Sequence, residues 1–167
     1  MKLQIIFISI IAILWSKTTT AQNYVDLGLS VLWADQNARG FYTHYDIIFE
    51  IKYYSPGETL PAESEFKELI NKCTWEWTQF NNVNGYKITG PNGNHIFLPA
   101  AGLYDDYYGT LGVGEWGHYW SDSCKDSGSS NANERESFYH LFFSKEKIYV
   151  TTNHESNRYS VRFIKRK

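Results

Sequence analysis

Apolar side chains at Phe66, Leu69, Ile70 and Cys73 follow the i, i+3, i+4, i+7 spacing of one buried helix face and predict a helix from about Ala62 to Cys73. Glu63, Glu65, Lys67, Glu68 and Lys72 fall on its wet side. Pro61 sits just before its first turn, where a missing N–H is harmless, and Glu65 places negative charge near the positive end of the helix dipole. Elsewhere the period is two. Val25, Leu27, Leu29, Val31 and Trp33 alternate with other residues and predict a strand over Tyr24 to Ala34. Further strands are expected over Thr74 to Phe80, Gly85 to Thr89 and His95 to Pro99, the last two joined through the turn signal Gly90-Pro91-Asn92-Gly93-Asn94. Ser137 to Ser144, Lys147 to Thr152 and Arg158 to Ile164 read as a three-stranded meander. The aromatic stretch from Arg39 to Glu58, around Ile47-Ile48-Phe49, reads as another strand. Two polar or glycine-rich segments, Gly102 to Gly117 and Lys125 to Glu136, read as long loops, which are uncommon unless functional or mobile.

The first 21 residues have the form of an export signal: Lys2, an apolar run from Leu3 to Trp15, and Thr19-Thr20-Ala21 as a cleavage site. The apolar run is shorter than the roughly 20 residues a membrane-spanning helix needs. The expectation is a mature chain from Gln22, with no transmembrane anchor after signal removal, in the periplasm, on the outer surface or outside the cell. Removing Lys2 and Lys17 leaves it mildly acidic, with no basic surplus for nucleic acid. A chain of this size buries roughly two thirds of the surface it would expose unfolded, so one domain over residues 22–167 can hold together without staples. Pairing of Cys73 with Cys124 is therefore optional and stays open.

Four strings agree in order with one family: Val25-Asp26-Leu27-Gly28-Leu29-Ser30-Val31-x-Trp33-Ala34, Leu60-Pro61-x-x-x-Glu65-Phe66-x-x-Leu69, the run from Asn84 to Gly102, and Tyr119-Trp120-Ser121-x-Ser123. Together they resemble the Fibrobacter succinogenes major paralogous domain, found in exported proteins of gut and oral Bacteroidetes-type bacteria. The resemblance implies a C-type-lectin-like fold of unassigned function. The chain departs from the pattern in a short Arg39 to Glu58 segment and in Ala62, where the family tends to place a Thr or Ser helix cap. These departures describe a shortened, divergent member.

No catalytic set emerges. His44, His95, His118, His140 and His154 lack metalloprotease spacing, and no nucleophile elbow, phosphate loop or dinucleotide fingerprint is present. Asp105, Asp106 and Glu115 share a loop, where adjacent acids are usually solvated. The same fold in formylglycine-generating enzymes uses a reactive cysteine pair, which Cys73 and Cys124 do not provide. Trp120-Ser121-Asp122 and Gly90-Pro91-Asn92 are faintly similar to lectin calcium strings, but one acid cannot build a six-ligand site. No catalytic residue, metal or cofactor is expected.

The remaining signal is aromatic, with 13 Tyr, 10 Phe and 6 Trp. Tyr104, Tyr107, Tyr108 and Trp116 cluster on the Gly102 to Gly117 loop beside Asp105 and Asp106. Flat amphipathic rings with hydrogen-bonding neighbours suit sugar faces or protein hot spots, and these six residues form the candidate ligand-binding set. Packing of the same rings onto the sheet is the competing reading. Trp75 and Trp77 alternate within a strand and are expected on its core face. The sequence thus predicts an α+β, C-type-lectin-like domain of short antiparallel strands, one clear amphipathic helix and long loops. Its expected role is an exported, non-catalytic recognition module for a glycan or a surface protein. A structural or assembly subunit of a cell-envelope complex, or a decayed inactive paralogue, are the alternatives.

Overall fold

The computed structural model describes residues 22–54, 57–125 and 137–167. The export signal and most of the Lys125 to Glu136 loop lie outside them. The alternation near the N-terminus persists as burial but not as one strand. β1 (Tyr24–Asp26) and β2 (Val31–Ala34) pair antiparallel, with a turn between them. Gly28 takes φ 78°, and its N–H donates to the Asp26 carboxylate at 2.7 Å, which reverses the backbone locally. Leu27, Leu29, Val31 and Trp33 are buried all the same.

The segment expected as a strand between Arg39 and Glu58 instead contains a helix, α1 (His44–Tyr54). His44 and Ile47 are buried and Ile51 packs partly against them, so a 3.6-residue period was present under the aromatic, β-branched composition that suggested a strand. The Thr43 hydroxyl caps the new helix by accepting from Asp46 N–H at 3.1 Å.

The predicted helix is α2 (Glu63–Lys72), with Phe66 and Leu69 fully buried. Ala62 supplies no side-chain cap, and two other groups take over. The Glu65 carboxylate accepts from Ala62 N–H at 2.7 Å, and the hydroxyl of distant Ser123 accepts from Glu63 N–H at 3.0 Å. The Trp120-Ser121-x-Ser123 string thereby replaces the missing cap in three dimensions. Asp122 N–H also donates to Pro61 O at 3.0 Å.

β3 (Thr74–Phe80), β4 (Val83–Thr89) and β5 (His95–Pro99) form one antiparallel sheet. Its first turn uses Asn81 and Asn82 at φ 49° and 63°, and its second is closed by Gly90 N–H donating to Asn94 O at 2.9 Å. The Gly102 to Gly117 segment is not a plain loop: β6 (Leu103–Asp105) and β7 (Gly109–Leu111) make a hairpin within it. β8 (Trp116–Cys124), β9 (Ser137–Ser144) and β10 (Ile148–His154) form a sheet in the order β10-β9-β8.

The expected C-terminal meander is corrected in its last member. Residues 158–164 do not add to β10. Tyr159, Ser160, Val161, Arg162, Phe163 and Ile164 are all buried, so this segment threads the interior rather than lining a sheet with one wet face. It makes isolated bridges to Tyr42, Tyr104 and Tyr119 and then enters β11 (Ile164–Arg166), which pairs with β2. Tyr159, Val161 and Phe163 join one apolar cluster with Ile47, Leu60 and Trp120, while Ile164 joins the larger one around Trp33, Phe66, Tyr119 and Phe143.

The fold class is corrected too. Four small antiparallel sheets carry the described residues and only two helices accompany them, so the chain is mainly β rather than the expected α+β, C-type-lectin-like arrangement. The period-two pattern that dominates from Thr74 onward leaves room for little else.

Arg162 is the one fully buried cation of the threading segment. Its Nε donates to Asn37 Oδ1 at 2.9 Å and its two terminal nitrogens donate to Ala34 O at 2.8 Å and Phe97 O at 2.7 Å. Burial lowers its pKa to about 10, so it stays protonated at neutral pH. Beside it Tyr119, also fully buried, donates to Pro99 O at 2.7 Å and accepts from Asn37 Nδ2 at 3.0 Å. Replacing Arg162 by Ala removes three donors from buried acceptors and opens a cavity, and urea unfolding is expected to show a loss of about 3 kcal/mol or more. Arg162→Lys recovers little of it, because an ammonium lacks the planar fork that reaches three acceptors.

Candidate functional site

The six sequence-predicted residues separate into a displayed group and a packed one. Asp105 ends β6, and one of its carboxylate oxygens accepts from the N–H groups of Tyr107 and Tyr108, both at 2.8 Å. Gly109, at φ 75°, closes the turn into β7. This holds the tip in one conformation while leaving its rings in water: Tyr107 is 86% exposed and Tyr108 72%. The two rings meet edge to face with centroids 4.7 Å apart. Tyr104 lies lower on the hairpin, stacked on Phe41 at 6.4 Å, and its N–H donates to Arg158 O at 3.1 Å. Trp116 belongs with the packed residues. A Cβ at Gly112, where φ is 67°, would stand 1.9 Å from its ring, and its buried indole N–H has no partner among the described residues. It supports the hairpin from beneath.

Asp106 fixes the hairpin against the rest of the molecule. Arg158 donates to Asp106 at 3.0 Å and to Asp46 of α1 at 3.4 Å, so one guanidinium joins the hairpin to the helix. α1 turns Tyr45, Ile48 and Phe49 outward, each about half exposed or more. Arg158 is thus the link between the displayed hairpin tip and this helix. Sequence reasoning missed the helical half because it read that segment as a strand. The spacing of His44, Ile47 and Ile51 was the available signal. Trp75 and Trp77 pack against the core, as expected, each edge to face with Tyr86 at 5.3 and 5.0 Å.

Titratable groups gather elsewhere. His118 and His140, on neighbouring strands β8 and β9, stack at 5.3 Å, and both pack against Tyr159, at 4.6 and 4.8 Å. Neither Nδ1 finds a partner among the described residues. Burial lowers His118 to about 4; burial and the neighbouring imidazole lower His140 to about 3. His44 stacks on Phe138 at 3.5 Å and donates through Nε2 to Ser121 O at 2.9 Å. His95 and His154 lie on the surface. Among the described residues no three His, Cys, Asp or Glu side chains converge as a metal site. No disulfide joins Cys73 to Cys124, and burial pushes the Cys73 thiol up to about 11, away from reactivity at neutral pH.

No described helix is long and apolar enough to cross a membrane. No protein-family model, curated protein or solved structure matches the chain.

The histidine pair generates a stability prediction. Both imidazoles are neutral in the fold but titrate near 6.5 once unfolded, so the unfolded state binds more protons as the pH falls. Their stabilising contribution is present above pH 6.5 and is lost as the pH falls toward about 4 for His118 and about 3 for His140. Each contributes a slope of up to about 1.4 kcal/mol per pH unit in that window. Urea unfolding across the window is expected to show this slope, and His140→Leu is expected to remove about half of it.

Proposed function

We propose that this chain is an exported, non-catalytic recognition module, a shortened and divergent relative of the major paralogous domain, whose binding surface is the β6–β7 hairpin with the adjoining face of α1. One observation carries the reading. Tyr107 and Tyr108 are 86% and 72% exposed, yet the Asp105 carboxylate caps both of their amides. A turn that spends two charge-assisted hydrogen bonds to hold large rings in water presents a pre-ordered contact surface. Tyrosine is well suited to it, offering wide amphipathic area with few torsions to freeze.

Of the two partner classes, a surface protein is favoured over a glycan. Ile48 and Phe49 extend the surface with apolar area that lacks the hydrogen-bonding groups sugars require. Arg158, bridging Asp46 and Asp106, lies between the two halves as a polar element within the aromatic surface.

The experiment is saturable binding of the labelled protein to intact cells of the producing organism. Changing Tyr107 and Tyr108 together to Ala is expected to weaken binding more than tenfold, as loss of interface hot spots does, while altering unfolding free energy by no more than about 0.5 kcal/mol. Trp116→Ala, by contrast, is expected to cost about 3 kcal/mol of stability. Protease treatment of the cells abolishes binding to a protein partner, and binding that survives it belongs to a glycan. Unchanged affinity in the double variant contradicts the reading.

A further inference from the structure

A separate cleft lies on the outward face of the β3–β4–β5 sheet. Tyr86, Ile88, Ile96 and Leu98 face the core, so the alternation of the strands turns Thr78, Phe80, Lys87, His95 and Phe97 the other way. The Phe97 ring covers Gly85, where a Cβ would stand 2.7 Å from its tip. Phe80 packs beside it with centroids 5.6 Å apart and is still 59% exposed. Asp35 and Gln36, just after β2, form the opposite wall, and the space between holds about 500 Å³. That is within the size range of small-molecule sites.

Both walls are held in place. Arg162 donates to Ala34 O on one side and to Phe97 O on the other. Asp35 N–H donates to Asn23 O at 3.0 Å, and Gln22 donates to the Asp35 carboxylate at 2.9 Å. The cleft shares no lining residue with the hairpin surface.

Its chemistry narrows the ligand. Phe97 and Phe80 offer a ring-sized apolar shelf, and Thr78, Gln36 and Asp35 offer hydrogen-bonding groups around it. Among the described lining residues Lys87 is the single Lys or Arg. Glu76 stands opposite it on β3, yet among the described residues no carboxylate comes within ion-pair distance of its ammonium. An extended peptide adding to the edge of β5 meets a Phe97 carbonyl already taken by Arg162. A phosphate-rich ligand meets one cation and an opposing Asp35. A hydroxyl-rich ring bearing one carboxylate fits all of these groups. We propose that the cleft binds an acidic saccharide residue, with its ring on Phe97 and Phe80, its carboxylate at Lys87 and its hydroxyls against Asp35, Gln36 and Thr78.

The test is NMR titration of the ¹⁵N-labelled protein with methyl glycosides of glucuronic and galacturonic acid, and with the matching neutral glucoside and galactoside as controls. The expected result is saturable shifts at Thr78, Lys87, Phe97 and the Gln36 side-chain amide, with the neutral sugars about fivefold weaker, the size of one partly exposed ion pair. Lys87→Gln levels the two classes, and Phe80→Ala weakens both without disturbing the rest of the spectrum. The paired Tyr107→Ala and Tyr108→Ala changes leave the cleft shifts intact, which separates this site from the hairpin surface. Absence of saturable shifts, shifts confined to residues 104–109, or equal binding of acidic and neutral sugars would overturn the proposal.

Discussion

The guanidinium of Arg162 organises this molecule. It reaches Ala34 at the end of β2, Asn37 in the loop that follows and Phe97 in β5, joining two segments far apart in sequence, from a chain segment that is itself buried at six successive positions. A buried cation without acceptors is severely destabilising; here one amide oxygen and two carbonyl oxygens accept from its three nitrogens. The terminal strands depend on the same arrangement. β11 can pair with β2 only if the preceding residues thread the interior in one register, and the Arg162 hydrogen bonds specify that register.

From that threading follow both surfaces. Arg158, four residues earlier, emerges between α1 and the β6–β7 hairpin and joins them through Asp46 and Asp106. Phe97 and Ala34, held by the same guanidinium, place the two walls of the cleft. A single buried segment thus places an aromatic display on one part of the molecule and a polar, aromatic-floored cleft on another. The imidazoles of half-buried His118 and buried His140 pack around Tyr159 of this segment, so acid acts on the structure through its interior.

How much of this was legible in the sequence depends on how local the cause was. α2, β3, β5, β9 and the Gly90 to Asn94 turn follow from their own periodicity and turn residues, and their bounds fall where the pattern placed them or nearly so. α1 was misread because Tyr, Phe and Ile favour strands on composition, while its helical face rests on His44, Ile47 and Ile51 packing against the distant Trp120 and Tyr159. The C-terminal segment looked like a meander strand because burial on both sides cannot be told from burial on one over so few residues. The missing cap at Ala62 was visible, but its replacement by Ser123 was not, since that hydroxyl arrives from 60 residues away. At the candidate site, the exposed Tyr107 and Tyr108 and the capping Asp105 were legible as a loop signal. The packed role of Trp116 was set by Gly112 and could not be read from spacing alone.

The central claim is that the hairpin tip and the α1 face form one contact surface, and site-specific photo-crosslinking in the producing cell tests it most directly. A benzophenone side chain placed in turn at Tyr107, Tyr108 and Phe49, with exposed Asn71 on α2 as the control position, reads which surface is covered. The account predicts one and the same discrete adduct from the three surface positions and none from Asn71. Adducts of equal yield from Asn71, or different adducts from the hairpin and the helix, would contradict it.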